Sequence, residues 1–288
     1  MSSEKEIARR EKTGGAQGTL YLVSTPIGNL GDMTFRAVEV LASAALVVAE
    51  DTRHSRRLLD HFSIETPVSS YHEHNEAKET PRLIARLASG DSIALISDAG
   101  TPLISDPGSR LVRAAVEVGI PVVPIPGASS VMAALVASGL SLERFAFYGF
   151  LPRKGAERTA AIGDLVASLA TVVVFEAANR LPATLDDLIE AGAGERSAVV
   201  ARELTKQFEE FKRGTIAELA RVYGDAEPRG EVVLVISGAE AREVSADELN
   251  AAARELRDAG KEPREVMQHL ISALGASRNV AYRIAHSV

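Results

Sequence analysis

The chain has 288 residues, 46% of them apolar and 25% charged, with a net charge of −7. That length accommodates two domains of ordinary size, and the composition excludes disorder as the main description. The absence of cysteine excludes disulfides, thiolate nucleophiles, zinc–thiolate sites and iron–sulfur clusters, and the negative balance gives no global attraction to nucleic acid or an anionic membrane.

Residues 1–18 mix Glu, Lys and Arg and close on Gly14-Gly15-Ala16-Gln17-Gly18, which predicts a loose tail and not a signal peptide. Thr19–Val23 is a short apolar run stopped by Ser24-Thr25-Pro26, as suits a buried strand. Phe35, Val38 and Leu41 share one helical face. Ala45–Ala49 reads as a strand, 54–62 as a helix, and 83–87 repeats a helical face before Gly90. Ile93–Ile96 and Pro121–Ile125 are strand-like; 111–118 and 128–138 are helical. This alternation predicts a parallel α/β sheet over residues 19–140. A second α/β set is expected over 141–240, with strands at 171–175, 198–201 and 231–236 and a helix at 181–190. Three short helices fill 241–288, with Pro263 and Ser277 at starts and Gly260 and Gly275 at ends. No apolar run approaches the roughly 18 residues of a membrane helix.

Three glycine-bearing loops follow strands in the first domain: 25–32, 97–108 and 124–130. Ligands of open parallel sheets bind beyond the carboxyl ends of strands, where glycine admits close backbone approach and proline limits the ordering cost. One such loop would read as an ordinary turn; three in one domain point to a ligand crevice. Neither GxGxxG nor GxxxxGK[ST] occurs, and these loops carry no Lys or Arg. Dinucleotides and polyphosphates are therefore disfavoured, and an adenosyl-type ligand with apolar and zwitterionic parts fits better.

The stretches Thr25–Leu30, Ala49-Glu50-Asp51-Thr52-Arg53, Ser97–Gly108, Gly149-Phe150-Leu151-Pro152 and Ala201–Lys206 together resemble the signature stretches of the ribosomal RNA small subunit methyltransferase I family, a branch of the tetrapyrrole methylases. The resemblance runs from about Leu20 to Gly238, and the last helices are similar to that family's C-terminal helical domain. It implies an S-adenosylmethionine-dependent 2′-O-methylation of a cytidine ribose in the decoding region of 16S ribosomal RNA, a cytoplasmic homodimer, and a cofactor held between two α/β domains. By the same resemblance Pro26, Ile27 and Gly28 form a first cofactor loop. Asp98, Gly100 and Thr101 line a second, Ser129 and Ser130 a third, and Gly230 stands beside the second-domain wall. The sequence departs from the family at Glu176-Ala177-Ala178-Asn179-Arg180, where Asn179 replaces the usual histidine, so no proton transfer is expected at that position.

Attack by a ribose hydroxyl needs a group to accept its proton and a cation to steady developing charge. Asp51, Arg53, Glu203 and Lys206 follow strands in polar clusters. Arg53 and Lys206 are expected to orient RNA, and Asp51 or Glu203 to take the proton; the alternative is two surface ion pairs that contribute little. His72 and His74 flank Glu73, but with no nearby cysteine and no HExxH no metal is expected; the stretch reads as a substrate-facing loop or a solvated turn. Local basic patches at Arg56-Arg57 and Arg153-Lys154, the latter with Arg158 nearby, are candidates for phosphate contact. Arg278, Asn279, Tyr282 and Arg283 on the last helix suit either RNA contact or a packing or dimer role, since residues 242–288 balance seven basic against seven acidic residues. The competing functions are tetrapyrrole C-methylation and a non-catalytic RNA- or nucleotide-binding regulator.

Overall fold

The computed structural model describes residues 17–224, 229–240 and 245–287, in two compact units with the chain boundary after Ser237. The expected tail lies, up to residue 16, outside the described residues.

The first sheet holds β1 (Leu20–Val23), β2 (Leu46–Ala49), β3 (Val68–Ser70), β4 (Ile93–Ile96) and β5 (Val122–Ile125) in the order β3-β2-β4-β1-β5, with every pair parallel. β2 and β4 are buried throughout, which is why they read as unbroken apolar runs. Helices α1 (Phe35–Ser43) and α2 (Thr52–His61) cover one face through Ala37, Leu41 and Leu59. Helices α3 (Glu76–Ala88) and α4 (Ser109–Glu117) cover the other through Leu83, Leu87, Leu111 and Ala115. The chain leaves β1 toward β2 and leaves β4 toward β5, in opposite directions across the sheet. The gap between the loops after β1 and β4 is therefore the switch point, where α/β sheets open a crevice.

The second sheet holds β6 (Phe145–Phe150), β7 (Thr171–Ala177), β8 (Ser197–Arg202), β9 (Glu210–Thr215) and β10 (Glu231–Ile236) in the order β6-β7-β10-β8-β9. Only β6 and β7 are parallel; β8 and β9 form a hairpin and β10 runs antiparallel to both β7 and β8. Helices α6 (Ala156–Ala167), α7 (Leu181–Glu190) and α8 (Ile216–Tyr223) contribute to the core on one face of it. The other face receives α5 (Ser130–Ser138), the last helix of the first sheet. Its Val131, Ala134 and Leu135 are buried against Val173, Val199, Ala201, Val233 and Val235. Burying an aliphatic side chain contributes about 1.5–3 kcal/mol, so this helix ties the two sheets into one unit.

The second unit packs α9 (Ala246–Asp258), α10 (Pro263–Ser272) and α11 (Arg278–Ala285) around Leu249, Val266, Leu270, Ala281 and Ile284. Pro263 is the first residue of α10, and Ser277 caps α11 by accepting from the Val280 N–H. Gly260 and Gly275 follow helices α9 and α10 with φ of 81° and 68°. No helix among the described residues is long and apolar enough to cross a membrane.

Candidate active site

Three loops at the carboxyl end of the first sheet are joined by their own hydrogen bonds. Thr25 and Gly100 exchange backbone bonds of 2.9 and 3.1 Å, linking the loop after β1 to the loop after β4. The Thr101 hydroxyl donates to the Ala128 carbonyl (3.2 Å) and receives the Ser24 hydroxyl (3.2 Å), which draws in the loop after β5. Across from this rim stand the β8–β9 turn and the start of β10. Between them lies a cavity of about 720 Å³, inside the range of small-molecule sites. Its apolar wall includes Ile27, Val131, Phe150, Phe175, Leu204 and Val233. Its polar wall includes Asp98, Ser129, Ser130, Asn179 and the backbone at Gly100 and Gly230.

Carboxylates gather on the first-sheet side of this cavity. Asp98 is fixed by the Asp51 N–H (3.1 Å). Desolvation, then the charge of Glu50, outweighs a hydrogen bond from Ser97 and, with a smaller push from Asp98, raises the Asp106 carboxyl to about 6. Glu50 is also raised, by partial burial and then by Asp98. Of the five non-glycine residues with positive φ among the described residues, four lie in two loops bordering the cavity: Leu103 (72°) and Ser105 (65°) on one side, Glu203 (52°) and Thr205 (64°) on the other; the fifth, Ser63 (54°), lies just after α2. Such strain persists only where surrounding contacts enforce it, and it concentrates at functional sites.

On the opposite side Lys206 Nζ bridges Glu203 (3.0 Å) and Glu231 (3.1 Å), and Glu203 also accepts the Glu231 N–H. The Lys206 stem lies over Gly28, where a Cβ would come within 2.5 Å of its Cγ. Gly28 (φ 148°) and Gly230 (φ 93°) are thus positions where a side chain is excluded; at Gly230 it would meet the Glu203 carboxylate.

Residues 19–220 match the family model "Tetrapyrrole (Corrin/Porphyrin) Methylases". A Synechocystis protein named ribosomal RNA small subunit methyltransferase I is 48% identical over 264 residues, 92% of each chain. Its Micromonospora olivasterospora namesake is 45% identical over 95% of this chain and 88% of its own, and the Streptococcus pyogenes serotype M1 namesake is 42% identical over 98% of this chain and all of its own. The chain belongs to the ribosomal RNA small subunit methyltransferase I family. Among solved structures, the cobalamin biosynthetic enzyme cobalt precorrin-4 methyltransferase superposes with a TM-score of 0.61 at 18% identity, covering 78% of this chain and 97% of its own. A uroporphyrin-III C-methyl transferase from Thermus thermophilus complexed with S-adenosylhomocysteine gives 0.55 at 20%, covering 76% and 97%. These two share the fold.

Of the residues that the family resemblance marks for the cofactor, Ile27, Asp98, Gly100, Thr101, Ser129, Ser130 and Gly230 line the cavity. Pro26 is buried and Gly28 exposed, both within the loop that supplies Ile27 but not on the cavity wall. The four residues expected to handle charge fall elsewhere. Asp51 caps α2, accepting from the Arg53 and His54 N–H groups, and these bonds hold its carboxyl below the usual range. The Arg53 side chain is 90% exposed, with only a loose 3.5 Å pairing to Asp51. The hydrogen bond from Lys206 lowers Glu203, while burial of Lys206 is outweighed by its two carboxylates, so its ammonium is held above its ordinary value. Neither is a ready proton acceptor.

Arg57, Arg153 and Lys154 are exposed and Arg56 is half-buried. Arg158 is structural: it bonds Asp187, Thr184 (2.9 Å) and the Pro152 carbonyl (3.0 Å). Beside it the fully buried Glu176 carboxylate accepts from Thr184 (2.6 Å) and pairs with Arg180 (3.4 Å), whose guanidinium holds the Leu151 and Pro152 carbonyls. This network fixes the Gly149–Pro152 stretch, and with it Phe150 at the cavity. His72 and His74 stack edgewise at 6.0 Å. Among the described residues no group of three His, Asp or Glu is placed to hold a metal. Glu50 and Asp106 were not singled out from the sequence, although both lie in the signature stretches. The available signal was Asp51 itself: an Asp directly before a helix is a capping residue, which leaves its neighbour Glu50 for other work.

Proposed function

We propose that this chain is an S-adenosylmethionine-dependent methyltransferase that acts on small-subunit ribosomal RNA, at the 2′-hydroxyl of a cytidine ribose in the decoding region of 16S ribosomal RNA. The supporting observation is that near-full-length relatives at 42–48% identity carry the small-subunit methyltransferase name and the cavity fits the donor. The fit is chemical: an apolar wall for a purine, Ser129, Ser130 and exposed backbone for polar groups, and carboxylates opposite a cationic sulfonium. When bound, the donor supplies a methyl group already activated by the positive sulfur.

The chain's own residues then have three tasks. Ile27, Gly100, Thr101, Ser129, Ser130 and Gly230 bind and orient the donor, which supplies much of the acceleration for an in-line displacement. Asp106, with Glu50 beside it, accepts the ribose hydroxyl proton on a carboxylate oxygen, since these two carboxyls are raised toward neutrality and face the cavity. Lys206 positions: its ion pairs brace the second-sheet rim and its stem presses on the first loop at Gly28. Arg57, Arg153 and Lys154 are solvent-facing contacts for phosphates, with Arg56 and Arg53 beside them. The protein works as a homodimer in the cytoplasm, where small subunits are made; unusually exposed apolar side chains, Phe35 at 91% and Val136 at 67%, favour self-association.

The test is incubation with methyl-labelled S-adenosylmethionine and unmethylated small subunits, 16S transcripts or free tetrapyrrole, followed by nucleotide-resolution mapping. Label on one cytidine ribose is expected. Label on tetrapyrrole carbon, or none with donor bound, would replace this reading.

A further inference from the structure

The last helix of the second unit carries a face that its own core does not use. Ala281, Ile284 and Ala285 point inward, whereas Arg278, Asn279, Tyr282, Arg283 and His286 are exposed. Residues 278, 282 and 286 are four apart and form one ridge, with 279 and 283 on the next. The Tyr282 ring, 58% exposed, lies over the His286 ring at 4.2 Å and 31°, so the two make a flat aromatic step at the surface. The His286 Nδ1 lies 2.9 Å from the Tyr282 carbonyl, which fixes that ring. Neither arginine has an ion-pair partner among the described residues.

Charge is divided along this unit. From 242 onward seven basic and seven acidic residues balance, yet no Asp or Glu follows Glu265. The acids sit before or within α9, or near the start of α10, and the end of the chain is purely basic. In a chain of net charge −7 this is a local attraction for a polyanion. Exposed aromatics between unpaired arginines are the composition by which proteins grip unstacked bases and the phosphates beside them.

We propose that the Arg278–Tyr282–Arg283–His286 face of α11 is a second RNA-docking surface, which binds a single-stranded or looped segment of the ribosomal RNA acceptor through base stacking on Tyr282 and phosphate contact by the two arginines. It rests on the ribosomal RNA reading above but concerns affinity, not chemistry. The experiment uses the full chain and measures binding to isolated small subunits and to 16S transcripts across a salt series. Variants are R278E/R283E, Y282A and Y282F, with R113E/R221E on exposed arginines of the first unit as a charge-matched control.

Charge reversal is expected to weaken binding at least about tenfold and to flatten the salt dependence by about 1.4 in log–log slope, the share of two single-strand phosphates. Y282A is expected to lose about fivefold or more, and Y282F, which keeps the stacking ring, to stay near the parent. Calorimetric S-adenosylhomocysteine affinity and helicity should not change, nor kcat at saturating subunits. Parental affinity and salt slope in both R278E/R283E and Y282A would overturn the proposal. So would weakened binding that tracks a change in oligomeric mass, which would make this face a contact between copies of the chain. If the parent methylates no ribose, the reaction proposal falls, while the comparison of variant and control binding still decides this surface.

Discussion

Asp106 carries the sharpest chemical consequence at the scale of single residues. Its carboxyl is raised to about 6 from an ordinary 3.8, chiefly by desolvation. Turnover should therefore fall as pH drops below about 6, as the acceptor is protonated, and stay level above it. Asp106→Asn should cut kcat by about 10²-fold or more, the usual contribution of a positioned base, with S-adenosylhomocysteine affinity nearly intact. The stability effect has the opposite sign. Between pH 3.8 and 6 the folded chain holds a proton that the unfolded chain releases, so stability declines as pH rises through that window. Above it the charged, partly buried carboxylate is a net cost. Asp106→Asn should thus raise the melting temperature at pH 8, on the order of 2 °C, and the gain should vanish near pH 4. A variant that keeps wild-type kcat at pH 8 would remove Asp106 from the chemistry.

At the scale of elements, the contact between the loop after β1 and the β8–β9 turn makes a coupled prediction. Gly28→Ala puts a methyl against Lys206 at a φ of 148°, and cofactor affinity should fall about tenfold. Truncation in Lys206→Ala removes the colliding stem, so the double variant should lose less than the two singles combined, measured as a double-mutant cycle on S-adenosylhomocysteine binding. Additive losses would mean that the strut does not operate. Glu176→Ala, which strands Arg180 and Thr184 in a buried network, should cost about 3 kcal/mol in denaturant unfolding.

The sequence made some elements legible and hid others for physical reasons. β1, β2, β4, β7 and β10 lie inside sheets and read as apolar runs. β9 (Glu210–Thr215) is an edge strand whose Lys212 and Arg213 are exposed, and β3 has three residues, so neither leaves an apolar pattern. β6 holds Gly149 and a register shift between Phe147 and Phe150. Missing β9 concealed that the second sheet is mixed, because strand–helix alternation carries no sign of a hairpin. At the site, the loops that border the cavity were readable as glycine and proline after strands. The contrast between Asp51, which caps α2, and Glu50, which lines the cavity, was not, since adjacent carboxylates differ only in which one the helix start consumes.

For the whole molecule, the homodimer proposed above is tested at Phe35, which is 91% exposed and among the apolar side chains that such an interface would cover. Phe35→Glu should shift mass in sedimentation or light scattering toward the single chain without unfolding it. Unaltered mass would move the interface elsewhere or deny it. The most direct test of the whole account is calorimetric titration of the purified chain with S-adenosylhomocysteine, beside Asp98→Ala and Gly230→Ala. We expect one molecule bound per chain and clear weakening in both variants. No uptake by the folded protein, even with small subunits present, or uptake indifferent to both substitutions, would contradict the placement of the methyl donor in the cavity at the rim of the parallel sheet.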